Sequence, residues 1–116
     1  DKGISWMSID LNKPFELAKH DVIICADVLE HINNIDGLMT TIKSGMDENS
    51  IVVMSTPNSD TVGEDVKSNS GHVNFWNVSE FENILDVFGF KIIKFKKFDE
   101  IINYESMIAV CMLKGE

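Results

Sequence analysis

Residues 21–32 read DVIICADVLEHI, and this segment gives the strongest indication of the fold. Its first half, Val22–Ala26, is an unbroken apolar run with β-branched residues at its start. Such a run is typical of a strand buried on both faces of a parallel sheet. Its second half places Asp27, Glu30 and His31 directly after that strand. Because ligands bind at the carboxyl ends of strands in open parallel α/β sheets, these three side chains are candidates for a functional site.

A helix and a second strand follow. The apolar positions of the helix recur at spacings of three and four: Ile35, Leu38, Met39, Ile42 and Met46. This period predicts a helix with one apolar face that begins after Asn33 and Asn34 and ends near Gly45. The apolar run at residues 51–54 (IVVM) predicts a second strand, so we expect a βαβ unit with two parallel strands and a right-handed crossover.

The rest of the chain supplies further elements. Residues 4–9 (ISWMSI) predict a short strand that ends at Asp10, and residues 56–76 show no periodicity, which predicts a long loop. A helix should then begin at Asn77, with Glu80 completing a capping box and Gly89 ending it. Residues 91–98 (KIIKFKKF) predict an edge strand, and residues 107–113 (MIAVCML) predict an interior strand. The short connection between them predicts an antiparallel hairpin.

Length and composition limit the classes of function. A chain of 116 residues with 44% hydrophobic and 25% charged residues predicts a single globular domain, residues 1–116. The net charge of −9 disfavours binding to a nucleic-acid backbone, and four lysines near residues 91–97 are better explained as a solvated strand edge. No membrane span or signal peptide is evident. Cys25 and Cys111 lie in apolar runs, which favours reduced, buried thiols in a cytoplasmic protein.

Four motifs carry a resemblance to a known family. They are DVLEH at residues 27–31, TPN at 56–58, GHVNFWNVSEF at 71–81 and LDVFGFKI at 85–92. In this order they resemble the second half of a class I S-adenosylmethionine-dependent methyltransferase, with the greatest likeness to the subgroup of ubiquinone-biosynthesis O-methyltransferases. The resemblance implies a partial Rossmann-like sheet, mostly parallel, with a C-terminal antiparallel hairpin and helices on its faces. It also implies methyl transfer to a small-molecule acceptor.

The resemblance also implies which residues would bind the cofactor. Asp10 and Leu11 match the end of a strand that contacts the adenine of S-adenosylmethionine, and Ala26 and Asp27 match a position beside its methionine part or the acceptor. The family's glycine-rich cofactor loop has no counterpart, since no two glycines are closer than eight residues, as between Gly37 and Gly45. We therefore expect a domain that lacks the N-terminal cofactor-loop portion.

The polar side chains that follow the first predicted strand allow two chemical roles, and the third interpretation is a purely structural role. In some relatives, including small-RNA 2′-O-methyltransferases, an acid-x-x-Glu-His motif and a later histidine bind a divalent cation such as Mg²⁺. That set corresponds to Asp27, Glu30, His31 and His72. Alternatively His31 or His72 acts as a general base without a metal, because imidazole titrates near neutral pH.

The predicted sheet also has an open edge. The family's third strand is not a neighbour of its fourth, so residues 4–9 lack their usual partner. An exposed apolar edge promotes aggregation, and we expect a second copy, a partner subunit or further residues to cover it. One alternative function is therefore a non-catalytic module that mediates dimerisation or partner binding. Another is a metal-dependent RNA 2′-O-methyltransferase, which the charge of −9 disfavours.

Overall fold

The computed structural model describes residues 3–69, 71–99 and 104–115. Within them the chain forms four strands, three α-helices and two short 3₁₀ turns. In chain order these are β1 (Val22–Ala26), a 3₁₀ turn (Leu29–His31), α1 (Ile35–Ser44), β2 (Ile51–Pro57), a second 3₁₀ turn (Ser59–Thr61), α2 (Glu64–Asn69), α3 (Val78–Val87), β3 (Phe90–Asp99) and β4 (Glu105–Leu113).

The four strands form one mixed sheet in the order β1-β2-β4-β3. β1 and β2 are parallel, with Ile24 opposite Val53, whereas β4 is antiparallel to both β2 and β3. The α/β class, the βαβ unit, the interior position of β4 and the C-terminal hairpin are therefore confirmed. Parallel pairing is limited to one of the three strand pairs, so the described sheet is less parallel than we expected.

The two faces of the sheet differ in their cover. On one, which we call the covered face, Val52, Met54, Ala109 and Cys111 are fully buried, and they form one core cluster with residues of α1 and α3. Because side chains alternate along a strand, their neighbours point to the opposite, open face. There Val22 is 52% and Ile24 is 72% exposed. The prediction that β1 is buried on both faces is wrong, because α1 and α3 both pack on the covered face.

The predicted strand at residues 4–9 does not form. This segment has no ladder pairing, and Trp6 and Met7 are 90% and 66% exposed. The chain is instead attached to α1 farther along, where the backbone N–H of Phe15 donates to the Thr41 hydroxyl and that of Leu17 to the Ser44 hydroxyl. These bonds attach the N-terminal segment to a helix rather than to β1. The outer edge of β1 therefore has no strand partner among the described residues.

The two longer helices begin and end as their sequences predict. The Asn34 side chain accepts the N–H of Gly37 at the start of α1. At α3 the Asn77 carboxamide accepts the Glu80 N–H and the Glu80 carboxylate accepts the Asn77 N–H, both at 2.9 Å. These reciprocal bonds confirm the capping box. Gly89 follows α3 with φ +90°, a conformation that glycine adopts without a steric penalty.

The expectation of a long loop over residues 56–76 is only partly correct. β2 continues to Pro57, and the second 3₁₀ turn and α2 follow. The turn forms because the Asn58 side chain accepts the Asp60 N–H and the Thr61 hydroxyl donates to the Asn58 carbonyl. Such local bonds from short polar side chains leave no apolar period by which the sequence could reveal them.

Two further properties bear on the class of protein. Both cysteines are free, buried thiols, as predicted, and burial raises the pKa of Cys25 and of Cys111 to about 11. Among the helices that the structure describes, none has the length and apolar character needed to cross a membrane.

Candidate functional site

The site begins where β1 ends. Asp27 has a left-handed backbone with φ +55°, which is uncommon for a residue other than glycine. Its N–H lies 3.0 Å from the Ser55 hydroxyl and 3.3 Å from the Ser55 carbonyl at the neighbouring end of β2. These contacts turn the chain sharply from Ala26, the last residue of the strand, into the first 3₁₀ turn. The bend places Asp27 at the carboxyl edge of the sheet, as the sequence predicts.

Glu30 lies below this edge and is only 2% exposed. Its carboxylate accepts a hydrogen bond from the Thr56 hydroxyl at 3.3 Å. Burial raises the pKa of Glu30, and the nearby Asp27 carboxylate raises it further, although hydrogen bonds and His31 partly offset this. The Glu30 carbonyl accepts the N–H groups of Val73 and Asn74, at 2.7 and 3.1 Å. Glu30 is thus a buried carboxyl that also attaches the distant loop.

Asn74 is the residue that positions this loop, and sequence analysis missed it. Its side-chain amide donates to the carbonyls of Leu29 and Ile32, at 2.9 and 2.6 Å, on both sides of the 3₁₀ turn. A polar loop residue next to the aromatic pair Phe75 and Trp76 was the only signal in the sequence, and it does not specify a partner more than 40 residues away.

The loop brings two histidines together. The rings of His31 and His72 are 4.6 Å apart and nearly perpendicular. His31 is 43% exposed, and its Nδ1 lies 3.3 Å from the Gly71 carbonyl. Burial, followed by the effect of His31, lowers the pKa of His72. The two histidines predicted for catalysis therefore share one rim above the carboxyl end of β1.

The predicted metal ligands are brought together only in part. Glu30, His31 and His72 each offer one ligand atom, and these atoms all lie within 4.8 Å of one another. Asp27 is outside the group, because its bent backbone directs the carboxylate towards the Ser55 hydroxyl, 3.5 Å away. In tetrahedral Zn²⁺ coordination, ligand atoms about 3.4 Å apart are needed. One carboxylate and two imidazoles suit Zn²⁺ or Mn²⁺ better than Mg²⁺, which prefers oxygen ligands.

The two residues predicted to contact the adenine, Asp10 and Leu11, lie in different surroundings. Leu11 lines an apolar cavity of about 220 Å³ together with Cys25, Val28 and Leu38. Asp10 is exposed, and its carboxylate accepts the N–H of Asn12. The structure therefore places Leu11 against β1 and α1, whereas Asp10 does not line this cavity.

Asn58 of the TPN motif has a structural contact. It is 6% exposed, its side chain donates to the Glu105 carboxylate at 2.9 Å, and its N–H donates to the Glu105 carbonyl. These bonds join the end of β2 to the start of β4. The motif thus fixes the sheet at the edge where the candidate site lies.

Comparisons with known proteins agree with this architecture. A family described as "Methyltransferase domain" matches residues 5–94, whereas no curated protein matches the chain. A protein of Bacillus halodurans C-125 assigned as a methyltransferase aligns with 91% of this chain and 70% of its own, at 10% identity and a TM-score of 0.70. The magnesium protoporphyrin IX methyltransferase of Synechocystis PCC 6803, with bound S-adenosylhomocysteine, covers 93% and 50% at 23% identity and a TM-score of 0.66.

A third structure, described as a pericyclic reaction enzyme, covers 93% of this chain and 30% of its own at 13% identity and a TM-score of 0.65. The chain thus spans between about a third and two thirds of the length of these structures, and the likeness to them shows the fold. The family match covers most of the chain, including β1, both 3₁₀ turns, all three helices and the candidate site. The chain belongs to the methyltransferase domain family.

Proposed function

We propose that this chain forms the acceptor side of a methyl-transfer site that uses S-adenosylmethionine and a small-molecule acceptor. The observation that carries the proposal is the convergence of Asp27, His31 and His72 at the carboxyl edge of β1 in a member of this family. Ligands of open α/β sheets bind at that edge. The ubiquinone-pathway subgroup, suggested by motifs alone, makes a hydroxyl the first acceptor to test.

The residues present fit one side of the cofactor. The 220 Å³ cavity beside Leu11 is smaller than the roughly 300 Å³ at which small-molecule pockets begin, so it suits only an apolar or planar part of a ligand. Ala26, which is small, and Asp27 would flank the rest at the strand end. S-adenosylmethionine, when bound, supplies an electrophilic methyl group. Alignment of that group with the acceptor is the main task of the protein.

His31 is the residue best placed to take a proton from the acceptor. When its Nδ1–H donates to the Gly71 carbonyl, its Nε2 is left with a free lone pair that can accept a hydroxyl proton. Glu30 Oε2 lies 3.9 Å from that Nε2 and would stabilise the imidazolium once it forms. His72 packs edge-on against the ring and limits its rotation.

Calorimetry with S-adenosylhomocysteine tests the cofactor part of the proposal. Micromolar binding would show that this chain holds the cofactor without a glycine-rich loop, and that binding should be weakened at least tenfold in Asp27→Ala and unchanged in Asp36→Ala, which removes an exposed carboxylate of α1. Absence of binding to the unaltered chain would favour the non-catalytic module. The fold does not decide the type of reaction, because one structural neighbour is described as an enzyme of pericyclic reactions.

A turnover assay tests the acceptor part. Methyl transfer from labelled S-adenosylmethionine to small phenols, carboxylic acids and amines would be followed as a function of pH. We expect His31→Gln to lower the rate at least a hundredfold, while S-adenosylhomocysteine still binds. A pH–rate profile that neither His31→Ala nor His72→Ala changes would remove both histidines from the mechanism.

A second candidate is a divalent-cation site, supported by the grouping of Glu30, His31 and His72. These residues would hold the ion, and its charge would lower the pKa of an acceptor hydroxyl. Calorimetry with Zn²⁺, Mn²⁺ and Mg²⁺ should show binding that His31→Ala abolishes and that His20→Ala, at the exposed histidine before β1, leaves intact. If none of the three ions binds, this candidate fails.

A further inference from the structure

A segment of the long loop, residues 71–74, lies on the first 3₁₀ turn and is attached to it mainly by Asn74. The side-chain amide of Asn74 donates to the carbonyls of Leu29 and Ile32, at 2.9 and 2.6 Å. Its backbone N–H donates to the Glu30 carbonyl at 3.1 Å. All three partners are carbonyl oxygens, so only hydrogen-bond donors suit this position. Asn74 thus joins the segment to both sides of the turn.

The same segment determines which nitrogen of His31 carries the proton. The Gly71 carbonyl lies 3.3 Å from Nδ1 of His31. A carbonyl oxygen can only accept, so the neutral ring must carry its proton on Nδ1, and Nε2 keeps its lone pair. A neutral histidine in water carries its proton mainly on Nε2. The contact with Gly71 therefore selects the tautomer that the isolated side chain does not prefer.

The position of the Gly71 carbonyl depends on the backbone that follows it. Gly71 has φ +78°, and a Cβ built there would meet none of the described atoms within 4 Å. Glycine therefore suits this position through its backbone conformation and not through close packing. Asn74 lies three residues farther along the chain, so its bonds to the turn limit how far the Gly71 carbonyl can move away from the His31 ring.

We propose that Asn74 is a positioning residue that holds the Gly71 carbonyl against Nδ1 of His31 and so keeps Nε2 free to accept a proton. The inference rests on the proposed function, in which His31 takes the proton of the acceptor. Asn74 acts on that reaction only through the His31 ring, because its own amide is directed at carbonyls of the turn.

Loss of these bonds should loosen the segment without unfolding the chain. Beyond Asn74 the loop has a separate attachment, where the Ser59 N–H donates to the Trp76 carbonyl at 2.9 Å. Asn74→Asp keeps the size of the side chain but replaces the donor with a carboxylate, which the two carbonyls repel. Asn33→Asp makes the same change at an exposed position two residues after His31, and it is the matched control.

The tautomer of His31 tests the proposal directly. The full chain with ¹⁵N-labelled histidine, in EDTA to exclude metal ions, would be measured by long-range ¹H–¹⁵N NMR at about pH 9, where histidine rings are neutral. We expect His31 to carry its proton on Nδ1 in the unaltered chain and in Asn33→Asp, and mainly on Nε2 in Asn74→Asp and Asn74→Ala. The ring of His20, which lies before β1, should change in none of them. His31→Gln assigns the signals.

A turnover assay separates positioning from support of the fold. We expect Asn74→Asp to lower the rate of methyl transfer at least tenfold, while the affinity for S-adenosylhomocysteine stays within about twofold of that of the unaltered chain. Asn33→Asp should leave both unchanged. A residue that only supported the fold would change the rate, the affinity and the thermal stability together.

Four results would overturn the proposal. The first is a His31 proton on Nε2 in the unaltered chain, and the second is a tautomer that Asn74→Asp and Asn74→Ala leave unchanged. The third is an equal change of tautomer in Asn33→Asp, and the fourth is a changed tautomer with an unchanged rate. Failure of the proposed function would appear differently, as no methyl transfer by the unaltered chain. The NMR result would then still decide whether Asn74 orients His31.

Discussion

The backbone of Asp27 offers the sharpest test of the site, because its φ of +55° places an ordinary residue in the left-handed region. A side chain with a Cβ costs roughly 1–2 kcal/mol there, and Asn or Asp costs less because its side chain bonds locally. Glycine has no such cost but loses roughly 0.5–1 kcal/mol through the entropy of the unfolded chain. We therefore expect Asp27→Gly to be more stable than Asp27→Ala by roughly 0.5–1 kcal/mol, with Asp27→Asn within about 0.5 kcal/mol of the unaltered chain.

The free energy of unfolding in urea measures these differences, and thermal unfolding provides a second measure. For a chain of this length, 1 kcal/mol corresponds to a shift in Tm of about 4 °C. The matched control is the same three substitutions, to Gly, Ala and Asn, at Asp36. This residue lies in the first turn of α1, and its side chain is exposed. There glycine should be less stable than alanine by roughly 1 kcal/mol, so the order of the two variants reverses.

Substitutions at Asp27 should also affect ligand binding more than they affect stability. Asp27→Gly and Asp27→Asn keep the N–H that contacts Ser55 but lack the carboxylate, so we expect folded variants that bind S-adenosylhomocysteine at least tenfold more weakly. If Asp27→Ala is as stable as Asp27→Gly or more stable, the left-handed backbone conformation of Asp27 is contradicted. If the folded variants bind the ligand normally, Asp27 has no part in the cofactor site.

Three further predictions test other parts of the chain. Because burial raises the pKa of Cys25 and Cys111 from 9.0 to about 11, their thiolate fraction at pH 8 falls about a hundredfold, and iodoacetamide should label the folded chain at least that much more slowly than the urea-unfolded chain. Asn77→Ala should destabilise the chain by about 1 kcal/mol in urea, whereas Glu80→Gln, which can still close the capping box, should cost less than half of that. Gly89→Ala should destabilise by about 1 kcal/mol because φ is +90°, and a Tm equal to that of the unaltered chain would contradict the bend after α3.

The candidate site was predictable from sequence only in its first half. Asp27, Glu30 and His31 follow β1 directly, so the end of one apolar run located them. His72 was a plausible partner through the family resemblance alone. Its approach to His31 depends on the bonds from Asn74 to Leu29 and Ile32, which join residues more than 40 positions apart. Asp27 likewise lies outside the group of candidate metal ligands because its backbone bends. The spacing of apolar residues in the sequence does not indicate that bend.

The elements whose signals are local could be predicted from the amino-acid sequence. The period of α1, the caps of α3 and the apolar runs of β1, β2 and β4 depend on neighbours within a few residues, and each formed as predicted. Two features depend on long-range packing instead: which face of the sheet is covered, and the absence of strand pairing at residues 4–9. Apolar alternation shows that a side chain favours burial but does not identify what buries it. That depends on where the helices pack, and here α1 and α3 pack on the same face.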